Sequence, residues 1–87
     1  MSIIIAPTIN HNGSDADDLL AGLERAVVAA QDLRNALRAI TPHGRDYPGR
    51  EEACSIARDV HFERITSITA LESDLLQIAA DIIVQRG

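Results

Sequence analysis

Cys54 and His61 are the first pair to test for chemistry, because a thiol in contact with an imidazole makes a nucleophile and its base. They lie seven positions apart. On a helix that is two turns along one face, about 10 Å between backbones, whereas the pair needs contact at roughly 3 Å. Cys54 therefore reads as a small buried hydrophobe. His11, His43 and His61 have no metal-ligand spacing, so no metal site is expected. No phosphate-binding glycine loop, Gly-x-Ser-x-Gly elbow or His-Glu-x-x-His pair occurs. The chain is expected to be non-catalytic and to carry no cofactor.

The charge distribution is more informative. Residues 34–50 hold Arg34, Arg38, Arg45 and Arg50 against the single acid Asp46, a local +3. The rest of the chain holds four arginines and twelve acids, or −8. There is no lysine, and the planar guanidinium fork suits bidentate contact with phosphate or carboxylate. Two readings stand side by side. Arg34 and Arg38 fall in the last turns of a helix, where cations complement the dipole without any ligand, and Arg50 is spaced from Asp46 for an ordinary i,i+4 ion pair. Alternatively, the region around His43, Arg45, Tyr47 and Arg50 takes an anionic ligand: the arginines clamp phosphate, Tyr47 stacks on a base, and His43 and Arg64 complete a site between chains. Asp46 is expected to cap the following helix through the amides of Gly49 or Arg50.

The elements that position these residues are helical. Residues 1–13 form an arm: Ile3–Ile5 is strand-like, Pro7 breaks it, and Asn10–Gly13 is turn chemistry. Ser14 opens a helix over 14–41, with Asp17 placed as in a capping box. Its seam reads Leu19, Leu23, Ala26, Ala30, Leu33, Leu37 and Ile40, spaced alternately four and three. Ala26 and Ala30 predict a close helix approach, with a register centred on Val27 and Val28 as the competitor. Pro42 ends this helix. Residues 42–48 form the turn, and a second helix covers 49–86 with the seam Cys54, Ala57, His61, Arg64, Ile68, Leu71, Leu75, Ile78 and Ile82. His61 and Arg64 sit on that seam either where the helices flare, with the charge reaching water, or lining a polar pocket between chains.

This describes an all-α, single-domain antiparallel hairpin. The first helix is about 40 Å long and the second about 55 Å, which leaves about ten residues of the second without an intrachain partner. Two helices also leave each apolar flank wet. The hairpin is therefore expected to assemble as a homo-oligomeric bundle, through the stripe Leu71, Leu75, Ile78 and Ile82.

The whole-chain arithmetic agrees. The 87 residues are 46% hydrophobic but only 2% aromatic, so any core is built from Ile, Leu, Val and Ala. A net charge of −5 disfavours duplex nucleic acid and anionic membranes as partners. A single cysteine excludes an intrachain disulfide and fits a reducing compartment. No secretory signal or membrane span is read, and a cytoplasmic location follows.

Thr41-Pro42-His43-Gly44-Arg45-Asp46-Tyr47-Pro48, followed by Ala57-Arg58-Asp59-x-His61, resembles small phage- and prophage-encoded helical proteins of uncharacterised function. The likeness spans roughly residues 30–80. Ile68-Thr69-Ala70-Leu71-Glu72 is similar to a segment of the phage sponge proteins that sequester cyclic nucleotides made by antiviral defence. Those are helical homo-oligomers with sites between protomers, and no binding residue is carried over from five positions. The expected function is a non-catalytic phage-type homo-oligomeric sponge for an anionic nucleotide-like signal. The alternatives are a helical adaptor or inhibitor acting on a host or phage protein, and a ligand-free assembly factor.

Overall fold

A computed structural model describes residues 3–9 and 14–87. Two helices dominate: α1, Ser14–Ala39, and α2, Glu51–Arg86, joined by a segment whose one regular element is a short 3-10 turn, Gly44–Asp46. The helices pack against each other as an all-α hairpin, and no strand occurs among the described residues. Residues 3–9 adopt no regular structure, and Ile3 and Ile5 lie open to water. The expected cap on Ser14 and the turn at Asn10–Gly13 lie outside the described side chains.

Both helices keep a heptad seam, but each is rotated from the one the sequence suggests. On α1 the half-buried and buried positions are Ala16, Leu20, Gly22, Leu23, Val27, Ala30, Arg34 and Leu37. Leu23, Ala30 and Leu37 are shared with the expected seam. Leu19, Ala26, Leu33 and Ile40 are instead exposed, Ile40 at 68%. On α2 the seam runs through Cys54, Ala57, His61, Ile65, Ile68, Glu72, Leu75, Ala79 and Ile82. Arg64 and Leu71 are exposed, each displaced from the seam by the neighbour that follows it.

Polar contacts explain the choice. Arg34 Nη1 donates to Glu72 Oε1 at 2.6 Å and to Thr69 Oγ1 at 3.5 Å, while Gln31 Nε2 donates to Glu72 Oε2 at 2.7 Å. These ties need Arg34 and Glu72 on the facing sides. Putting Leu33 and Leu71 there would turn them away. At the open end Arg86 pairs with Asp17.

The extra length of α2 is not left bare. His61 lies level with Leu37, so the first turns of α2 extend past α1, and the chain after α1 folds back along them. Cys54 is buried beneath that return. At the other end the Gln85 side chain holds the arm with two hydrogen bonds, accepting from the Ile9 amide at 3.0 Å and donating to the Pro7 carbonyl at 2.9 Å. Gln85 thus pairs with the arm as a neighbouring strand would. No helix among the described residues is long and apolar enough to cross a membrane.

Candidate functional site

The turn is built by ending one helix tightly and starting another after a glycine. The amides of Ile40 and Thr41 bond back three residues, to Leu37 and Arg38, and Thr41 Oγ1 also donates to the Arg38 carbonyl at 2.8 Å. Pro42 cannot continue the helix. His43 Nδ1 accepts from the Arg45 amide at 3.1 Å, and the amides of Asp46 and Tyr47 bond back to His43 and Gly44. Gly49 takes φ +71°, a left-handed value that favours glycine, and sends the chain into α2.

Two α2 side chains secure this turn. Arg58 Nε donates to the Pro42 carbonyl at 2.8 Å, and His61 Nε2 donates to the Leu37 carbonyl at 2.7 Å. The Leu37 carbonyl thus accepts a second hydrogen bond besides that from the Ile40 amide, and the Pro42 carbonyl, beyond the end of α1, gains a partner in Arg58. His61 is buried, with the Phe62 ring edge-on at 6.5 Å between centroids. Its seam position is therefore a tie within one chain, neither a flare nor a pocket between chains. Arg58 is the residue that charge counting missed; its signal was the Arg58-Asp59-x-His61 pattern beside the turn.

The residues expected to bind an anion separate into two groups. His43, Arg45, Tyr47 and Arg50 share the turn. Arg50 lies over the Tyr47 ring, its Cζ 5.8 Å from the centroid, so one face of the expected base platform is already covered by a cation. Arg64 stands fourteen residues beyond Arg50 on α2, about 21 Å along the axis, and joins no site with it in the same chain. Asp46 does not cap α2: Arg50 occupies the cap position and no side chain accepts there. The expected ion pair of Asp46 with Arg50 is absent among the described residues.

A shallow cleft of about 330 Å³ opens beside the turn, lined by Gly44, Glu51, Cys54, Arg58, Asp59 and Phe62 among others. None of His43, Arg45, Tyr47, Arg50 or Arg64 lines it. It offers two carboxylates and one guanidinium whose Nε is already committed, a poor lining for phosphate. No cluster of metal-ligating side chains occurs among the described residues.

The second polar cluster, Gln31–Arg34–Glu72, is self-satisfied. The Arg34 hydrogen bond, then that from Gln31, holds the Glu72 carboxyl below the usual glutamate range against the opposing cost of burial. Its chemistry is structural, locking the register of the two helices.

The expected interface residues divide similarly. Ile82 is fully buried within the single chain, so it cannot touch a second one; Leu75 and Ile78 are half-buried in or beside the seam, and only Leu71 stands open. The rotated seam takes Ile82 and part of Leu75 into the hairpin and leaves Leu71 outside. Compared with protein families, curated proteins and solved structures, the chain shows no match in any of the three.

Proposed function

We propose that this chain is a non-catalytic helical binding protein that works in the cytoplasm as a homo-oligomer and acts by protein–protein contact. The observation that carries the reading is surface area. The hairpin exposes 6362 Å², whereas a compact chain of this mass exposes about 5,000 Å². Large apolar side chains contribute to it: Leu19, Leu33, Ile40, Phe62, Leu71 and Leu76 are each more than two-fifths exposed. Large apolar side chains left open in this number mark association surfaces. The molecule measures 63 × 22 × 12 Å, a slab one helix thick, so every seam residue lies close to a broad face. Light scattering across micromolar concentrations tests the reading. A mass that is a multiple of 9.4 kDa supports it. A helical monomer throughout ends it.

A second reading, capture of an anionic nucleotide-like ligand at the turn, is favoured by one observation. Arg45 and Arg50 are exposed, and among the described residues no carboxylate lies within ion-pair distance of either. A thermal-shift screen with cyclic and linear nucleotides tests it, since a ligand at 100 times its dissociation constant adds about 2.7 kcal/mol. Arg45→Ala would then remove the shift and leave the unliganded melting temperature nearly unchanged.

A further inference from the structure

The exposed flank of α1 is itself a heptad seam. Leu19, Ala26, Leu33 and Ile40 recur every seven residues, and Ala29 and Ala36 fall between them at the same alternation of three and four. Gly22 completes the series at its start. The stripe lies roughly a quarter turn round the helix from the seam that faces α2. It runs about 32 Å without a charged side chain. Nothing in the hairpin uses it: Leu33 is 51% exposed and Ala26, Ala29 and Ala36 are all open.

We infer that this flank of α1 binds the same flank of a second copy, antiparallel, about a two-fold axis near Ala29, to make a four-helix bundle. The inference rests on the self-association reading above and adds to it the face, the orientation and the register. Size complementarity sets the register. With residue i opposite residue 59 − i, Leu33 of each chain covers Ala26 of the other, Leu19 meets Ile40, and alanines meet at the axis. The two Leu33–Ala26 pairs thus set large side chains against small ones on either side of a thin alanine centre, and Leu19 with Ile40 closes each end.

Charge sets the orientation. Arg25 and Asp32 border the stripe seven residues apart on one side, and neither has an ion-pair partner among the described residues. The Arg25 guanidinium lies beside Gly22, 3.8 Å from where a Cβ there would stand, so it edges the stripe itself. In the antiparallel register Arg25 of each chain comes within about 3 Å of level with Asp32 of the other, twice by symmetry. In a parallel pair the two-fold axis would put this edge of the two chains on opposite sides of the interface, and Arg25 could not reach Asp32 of the other. The area also matches: a standard interface removes about 800 Å² from each partner, more than half of the excess of about 1,400 Å² over a compact chain.

Charge reversal tests this in the full chain, read by sedimentation equilibrium with circular dichroism as the folding control. Arg25→Asp and Asp32→Arg should each weaken the dimer roughly tenfold, because two attractive pairs become repulsive. Arg25→Asp/Asp32→Arg together should restore it, and an equimolar mixture of the two single variants should associate better than either alone. Leu33→Asp, on the same flank, should abolish the dimer. A wild-type monomer would overturn both this inference and the self-association reading. A wild-type oligomer that keeps its affinity in all four variants, or a double variant no better than the singles, would overturn only the α1 interface and leave self-association standing.

Discussion

Glu72 is where the two helices are most tightly specified, because one carboxylate accepts from Arg34 and Gln31 of the opposite helix at 2.6 and 2.7 Å. From sequence alone Arg34 reads as a cation complementing the end of α1. In the fold it is a seam residue, and the spacing of Val27 and Arg34, seven apart, was the signal. A polar residue at a seam position is hard to recognise until its partner is known, and that partner lies 38 positions away. The lowered Glu72 value gives a pH prediction with a definite sign. Because its folded value lies below the unfolded one, Glu72 stabilises the hairpin above the usual glutamate range. That contribution fades as pH falls through the folded value. Glu72→Gln should therefore melt lower than wild type at neutral pH, and lose less on acidification from about pH 7 to about pH 3. Melting temperatures of the two proteins across that range check it; parallel curves would mean that Glu72 is not the titrating tie.

At the scale of the element, helix positions were legible and helix rotation was not. Spans of 14–41 and 49–86 compare with Ser14–Ala39 and Glu51–Arg86, and the difference is two residues at each side of the turn. Those residues leave the helices because the Ile40 and Thr41 amides bond three back rather than four, and because Gly49 turns left-handed before α2. Rotation failed for a specific reason. Leu23, Ala30 and Leu37 belong to two seams at once, one continued by Leu20, Val27 and Arg34, the other by Leu19, Ala26, Leu33 and Ile40. The second is the more apolar, so hydrophobicity alone selects it. The Arg34–Glu72 pair selects the first. Ala30 and Ala26 separate the two. Ala30 is buried against α2, so Ala30→Leu overpacks the seam and should cost about 1–3 kcal/mol. Ala26 faces away, so Ala26→Leu should leave the stability of the single hairpin unchanged at chain concentrations too low for association. Urea unfolding of both variants checks this, and equal losses would restore the seam through Ala26.

The whole molecule makes a thermodynamic demand that neither helix makes alone. Its radius of gyration is 18.3 Å, against about 12 Å for a compact chain of this length, and large apolar side chains are left outside along the helices as well as at the ends. The candidate site was the least legible part for the same reason. The basic turn is visible as composition, but whether its arginines face a ligand, a partner or the Tyr47 ring depends on packing between distant segments. Two helices with so little enclosed surface gain most of their remaining stability when a second copy covers a broad face. In the proposed dimer association adds to the stability of each hairpin, and melting leads from dimer to two unfolded chains while the dimer is populated. Each tenfold rise in chain concentration adds about 1.4 kcal/mol to the dimer's stability. For two chains of this size that corresponds to a rise of about 3–5 °C in melting temperature. Melting should therefore move upward steadily from low to high micromolar protein, and Leu33→Asp should flatten the dependence along with lowering the midpoint. A wild-type midpoint that does not move across two decades of concentration would mean that the hairpin stands as a monomer, with its apolar flanks reserved for a different protein.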